Sequence, residues 1–145
     1  MADYNGTDED DIIDASELTS DIRNIYPGKG DDIVKNVTSG QTIIAGPGED
    51  QISGNNFDYA MRQAIQGGIT INLKEGWSDD GFGGRDYISG VATVHGSGFG
   101  DTIFGTASTE NFFANGGNNV IDGGGGEDTV SYLSLIHISE PTRPY

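Results

Sequence analysis

The stretch that decides the fold is GGGGEDTVS, Gly123–Ser131. Four glycines run into two acids and then into Thr129-Val130-Ser131, a strand-favouring triplet. Counting back in nines from Gly123 gives ANGGNNVID, GTASTENFF and GSGFGDTIF, so these units tile Gly96–Ser131 without a gap. A second block tiles Pro27–Ser53 as PGKGDDIVK, NVTSGQTII and AGPGEDQIS. Single units stand at Asn5–Ile13 (NGTDEDDII) and Gly81–Ser89 (GFGGRDYIS).

Two rows emerge in this register. The eighth position reads Ile12, Val34, Ile43, Ile52, Ile88, Ile103, Phe112, Ile121 and Val130, every one apolar. At the chain's apolar share such a run has a chance on the order of 10⁻⁴, which argues against a random glycine-rich tail. The sixth position reads Asp10, Asp32, Gln41, Asp50, Asp86, Asp101, Glu110, Asn119 and Asp128, every one with a side-chain oxygen. A turn plus a three-residue strand buries nothing alone. Stacked coils, at the ordinary strand separation of about 4.8 Å, join the eighth-position side chains into one apolar ladder. Glycine in the turns allows positive φ and close backbone approach, so main-chain carbonyls and the sixth-position carboxylates converge. Calcium takes six to eight oxygens in a flexible shell, and this mixture suits it.

Composition agrees. The chain has 145 residues, 24 glycines and an apolar share of 34%, too little for a deep core but enough for a shallow repetitive one. Its formal charge of -16 repels nucleic acid and anionic membrane and attracts cations. The absence of cysteine excludes disulfides and thiolate metal sites. No stretch is long enough to span a bilayer, and the N-terminus MADYNGTDEDD has no secretory-signal character.

The nonapeptide GGxGxDxUx, with U a large apolar residue, marks the calcium-binding repeat of the RTX, or hemolysin-type, family, which this chain resembles. GGGGEDTVS matches it throughout; PGKGDDIVK and AGPGEDQIS match except at the first glycine. GSGFGDTIF has Phe99 at the fourth glycine, and NVTSGQTII, GTASTENFF and ANGGNNVID depart further. The resemblance implies an all-β parallel β-roll, or β-solenoid, with two nonamers per coil and an irregular insertion. Turns eighteen residues apart then stack, pairing Asp32 with Asp50, Asp101 with Asn119, and Glu110 with Asp128. The first pair joins two aspartates with glycines in both turns, so it is the expected Ca2+ site, with carbonyls from Gly28, Gly30, Gly46 and Gly48. Asp128 has Gly124 and Gly126 in its turn; Asp10 and Asp86 are candidate ligands from the single units. The resemblance also implies a bacterial protein exported by type I secretion, secreted or at the cell surface, and a chain that folds on binding calcium.

The expected organisation is an N-terminal repeat and connector over 1–26, a first roll segment over 27–53, an insertion over 54–80, a second roll segment over 81–132 and a tail over 133–145. Within the insertion, FDYAMRQAIQGG reads as one or two helical turns with Asp58 as cap and Gly67-Gly68 as stop, and ITINLKEG as a strand. Trp77, beside Asp79 and Asp80, reads first as a packing residue, with sugar contact as the functional alternative. The tail, LSLIHISEPTRPY, loses register, glycine and acidity together. It resembles the translation of a transposase sequencing adapter found at the ends of metagenomic reading frames, so it reads as non-native.

Catalytic signals are weak. The repeat accounts for the carboxylate pairs, His95 stands alone outside the tail, and GGGGED lacks the Lys-Ser/Thr of a phosphate loop. The reading is therefore a non-enzymatic calcium-binding fragment of a larger repeat protein, whose partners are calcium and a surface polysaccharide or sister repeats. Alternatives are the carrier part of a secreted polysaccharide-modifying or hydrolytic enzyme, and an adhesive or ice-binding array. The seventh position, Ile33, Thr42, Gln51, Thr102, Asn111, Val120 and Thr129, reads as too mixed for a threonine ice-binding row.

Overall fold

A computed structural model describes residues 2–60, 67–79, 81, 83–114 and 117–131. The described residues form an all-β parallel β-solenoid, apart from one 3₁₀ turn at Ala15–Glu17 that Asp14 caps through its side chain. Its strands are β1 (Ala2–Asn5), β2 (Ile12–Asp14), β3 (Ile22–Tyr26), β4 (Ile33–Thr38), β5 (Thr42–Ile43), β6 (Gln51–Ala60), β7 (Thr70–Asn72), β8 (Trp77–Asp79), β9 (Arg85–His95), β10 (Thr102–Phe104), β11 (Asn111–Phe113), β12 (Val120–Asp122) and β13 (Thr129–Ser131).

Successive units alternate between two faces. One face stacks β2, β4, the start of β6, the start of β9, β8, β7, β10 and β12. The other stacks β1, β3, β5, the end of β6, the end of β9, β11 and β13. Strands β6 and β9 are long enough to turn the corner and serve both faces.

The apolar ladder is therefore double. Ile13, Val34, Ile52, Ile88, Ile71, Ile103 and Ile121 point inward from the first face. Ile25, Ile43, Tyr59, Val94, Phe112 and Val130 do so from the second. Each face contributes its own stripe, and the stripes meet across one interior. Val37, Ala45, Phe57, Ile69 and Leu73 fill it between them, so the core is larger than one side chain per nine residues.

Three expectations change. The N-terminal unit is displaced by one residue: Ile13, not Ile12, faces inward opposite Val34, and Ile12 is 74% exposed against 3% for Ile13. A side-chain period of two makes any one-residue shift exchange inside for outside. Second, Phe57–Ala60 are strand rather than the start of a helix. Asp58, expected as a cap, sits mid-strand between Thr42 and Thr93, because Phe57 and Tyr59 alternate inward onto the core. The rest of that expected helix, residues 61–66, lies outside the described residues, as does the tail. Third, the seventh-position row is two rows on opposite faces. On the second face, Asn24, Thr42, Asp58, Thr93, Asn111 and Thr129 stand in one register column.

The insertion also joins the roll. β7 lies parallel to β10, with Ile71 opposite Ile103. The chain then doubles back through β8, antiparallel to both β7 and β9, before β9 settles beside β6. Arg85 lies over the Trp77 ring, 3.9 Å from its centroid, so Trp77 packs within this hairpin.

The displaced register is testable. Ile13→Ala should lower unfolding stability by about 2–4 kcal/mol, whereas Ile12→Ala should change it by less than about 0.5 kcal/mol. Urea unfolding of both variants checks this; the opposite ranking would restore the original phase.

Candidate cation site

Sixth-position side chains line up at the turns, held there by the main chain. In each expected pair, the carboxylate or amide oxygen of the later turn accepts the N–H of its partner eighteen residues earlier. Asp50 Oδ1 takes the Asp32 N–H at 2.9 Å, Asn119 Oδ1 the Asp101 N–H at 2.8 Å, and Asp128 Oδ1 the Glu110 N–H at 2.9 Å. The stack is longer than the nonamer count suggests. Asp32 Oδ1 accepts the Asp11 N–H at 2.8 Å, and Asp86 Oδ1 accepts the Asp50 N–H at 3.2 Å. Four aspartates, Asp11, Asp32, Asp50 and Asp86, thus form one column. Sequence spacing hid the last step, because Asp86 stands thirty-six residues from Asp50 and only the closed insertion brings them together.

Asp10 is not in this column. It follows the one-residue displacement of its unit, and its Oδ1 accepts the Asp31 N–H at 2.8 Å on the exposed fifth-position column. Asp31 repeats the arrangement with the Glu49 N–H at 2.9 Å. Asp11 holds the place expected of Asp10.

The glycines are required where turns touch. Gly48 has φ +124°, and a methyl built on it would overlap the Gly30 carbonyl oxygen; one on Gly46 would overlap that of Gly28. The carbonyls of Gly28 and Gly30 are therefore directed at the next turn, against Gly46 and Gly48. In the last turn, a methyl on Gly124 would overlap the Thr106 carbonyl oxygen, and one on Gly126 would meet that of Ser108.

Asp32 and Asp50 are both 0% exposed, and the Oδ2 of each is buried with no hydrogen-bond partner among the described residues. A buried carboxylate oxygen without a partner costs several kcal/mol unless a cation or proton meets it. Burial pushes the Asp50 carboxyl up from 3.8 to about 8, with the charges of Asp86 and Asp32 adding to the rise. Burial also raises Asp32, Asp101 and Glu110. Among the described residues, no cluster of three or more His, Cys, Asp or Glu side chains is arranged to hold a metal. A cation between Asp32 and Asp50 would draw its remaining oxygens from main-chain carbonyls, which is the donor set of a hard ion such as Ca2+.

Elsewhere the chemistry is sparse. His95 stacks on Phe113 with ring centroids 4.7 Å apart, and its Nε2 lies 3.9 Å from Asp58 Oδ2, a surface arrangement on the second face. Among the described residues no helix is long and apolar enough to cross a membrane. No family model matches the chain, and no curated protein matches it either.

The raised carboxyls give the metal-free fold a defined pH dependence. A group whose folded pKa lies above its unfolded one binds more protons folded than unfolded in the interval between them. For Asp50 that interval runs from 3.8 to about 8, so stability without metal should fall as pH rises across it. Thermal melts in chelator at pH 5 and pH 8 should show the higher midpoint at pH 5, and Asp50→Asn should flatten the difference. A midpoint that rises with pH in chelator would contradict the burial argument.

Proposed function

We propose that the chain is a calcium-binding β-roll module, a non-enzymatic fragment of a larger secreted or cell-surface bacterial repeat protein of the RTX type, whose folding is completed by calcium. The observation that carries this reading is the pair of buried, partnerless Oδ2 atoms of Asp32 and Asp50. In the same two turns the carbonyls of Gly28 and Gly30 lie against Gly46 and Gly48. When bound, calcium would neutralise both carboxylates and supply the partner that the protein does not. Asp32 and Asp50 hold it by charge; Gly28, Gly30, Gly46 and Gly48 keep the turns close enough for carbonyls to contribute. Extracellular calcium modules bind at about 10⁻⁴–10⁻³ M, which leaves such a chain metal-free in the cytosol and loaded outside. Binding to the native state alone stabilises it by mass action.

Circular dichroism in chelator and then in millimolar calcium, with magnesium as control, tests the coupling. A cooperative gain of β signal and of melting temperature with calcium alone is expected. Asp50→Ala should remove roughly one bound calcium, whereas Glu110→Ala should remove far less. An unchanged melting temperature on adding calcium would leave the carboxylates as structural acceptors only.

One observation favours a second reading, an adhesive or ice-binding surface. Threonine alternates with Asn or Asp along the second-face column Asn24, Thr42, Asp58, Thr93, Asn111 and Thr129. Thermal hysteresis that is present in the native chain and lost in Thr93→Lys would support it; its absence in the native chain would retire it.

A further inference from the structure

The turns are not chemically equivalent, and the difference lies four residues before each sixth-position acid. At Asp11 that residue is Thr7, whose N–H and Oγ1 donate to Asp11 Oδ2 at 2.6 and 2.9 Å. At Asp101 it is Ser97, whose N–H donates to Oδ2 at 2.8 Å while its hydroxyl donates to Oδ1. At Glu110 it is Thr106, whose N–H and hydroxyl both reach the carboxylate. Asp86 is closed differently: Tyr59 crosses the interior and its hydroxyl donates to Asp86 Oδ2 at 2.7 Å. At Asp32 and Asp50 the corresponding residues are Gly28 and Gly46, which have no side-chain donor, and these carboxylates hold the partnerless oxygens.

We propose that hydroxyl closure by Thr7, Tyr59, Ser97 and Thr106 makes the turns at Asp11, Asp86, Asp101 and Glu110 metal-independent, and so confines the aspartate column to one cation site, between Asp32 and Asp50.

The column shows why. Its four acids run Asp11, Asp32, Asp50, Asp86, and both ends are closed while both middle members are open. A cation needs open oxygens from two successive turns, and only the central step offers them. In the other column Ser97 closes Asp101, and its partner Asn119 is neutral, with its Nδ2 donating to the Ala114 carbonyl at 3.0 Å. A hydroxyl donor gives a buried carboxylate oxygen the partner that a cation would otherwise supply, while leaving its charge in place. At Asp11, Asp101 and Glu110 a threonine or serine in the second position closes the turn, whereas at Asp32 and Asp50 a glycine there leaves it open. Closure itself is independent of calcium; only the counting of cation sites rests on the calcium reading above.

The test uses the full chain, with hydrogen exchange followed by mass spectrometry in chelator and in millimolar calcium. In chelator, native amides over 97–113 should stay protected while those over 27–53 exchange fast; calcium should slow only the latter. Ser97→Ala should raise exchange over 97–104 in chelator by about ten-fold or more, and Ser97→Thr should restore protection, since threonine serves this role at positions 7 and 106. Calcium binding by equilibrium dialysis should fall by about one ion in Asp50→Asn and stay unchanged in Asp101→Asn. If Ser97→Ala exchanges like the native chain in chelator, closure is overturned. If Asp101→Asn loses as much calcium as Asp50→Asn, a closed turn binds metal and the confinement is overturned. If calcium changes nothing at any segment in any variant, the calcium reading and the site count fail together, while loss of protection in Ser97→Ala with rescue by Ser97→Thr still upholds closure.

Discussion

A side-chain oxygen at one turn accepting a main-chain N–H from the turn before it is the interaction on which this solenoid depends. The strands are mostly three residues long and cannot fix their own register. The carboxylate fixes it for them. When Asp50 Oδ1 takes the Asp32 N–H, the next residues fall into line, and Gln51 N–H reaches the Asp32 carbonyl at 2.8 Å. The same order recurs at Asp11, with Ile33 N–H on its carbonyl, and at Glu110, with Thr129 N–H on its carbonyl. Each acid thus closes a turn with its side chain and opens a strand with its backbone. Its burial is the consequence of serving both.

That economy has an electrostatic cost. Carboxylates on successive rungs stand about 5 Å apart, where two full charges repel by about 3 kcal/mol at an effective dielectric near 20. The chain meets this cost in three ways within one fold. Hydroxyls from Thr7, Thr106 and Tyr59 and the main-chain N–H of Ser97 meet the second oxygen; Asn119 replaces an acid outright; and Asp32 and Asp50 are left with neither remedy. The exposed fifth-position column of Asp10, Asp31 and Glu49 needs none, since water solvates it. Burial, rather than the number of acids, decides which of them require a partner.

The sequence rows were legible wherever spacing is local. Nine-residue spacing identified Val34, Ile43, Ile52, Ile88, Ile103, Phe112 and Ile121 as core, because one register serves turn, strand and ladder together. The pairing of acids eighteen residues apart came from the family resemblance, which implies two nonamers per coil. The spacing failed at Ile12 because NGTDEDDIID holds two isoleucines and two candidate acids in a row, and only the partner strand chooses between them. It failed at Phe57–Ala60 because an apolar residue at alternate positions followed by Ala-Met-Arg-Gln satisfies a helical and a strand pattern equally; stacking on Ile43 and Val94 decides for strand. Tyr59 carried no signal as a partner of Asp86, since the two meet only through the interior. Ser97 and Thr106 stand where the repeat has its second glycine, and nothing in the sequence alone marked their hydroxyls as donors.

The hairpin of β7 and β8 sets the remaining limit. It adds two rungs to the first face between β9 and β10, whereas β9 and β11 are direct neighbours on the second. Turns that would have stacked Asp86 against Asp101 are thereby separated. Asp101 instead receives the Ile69 N–H at 3.0 Å, and Asp79 Oδ2 receives the Thr70 N–H at 3.1 Å. Neither donor brings a second carboxylate into the column, so no charge pair forms across the break. The acidic stack consequently ends at Asp86, where Tyr59 terminates it, and starts afresh at Asp101, where Ser97 does the same. A chain with sixth-position acids along most of its length is divided into short columns by its own insertion. The unsatisfied charge collects in the interior of the first column because both of its ends are closed.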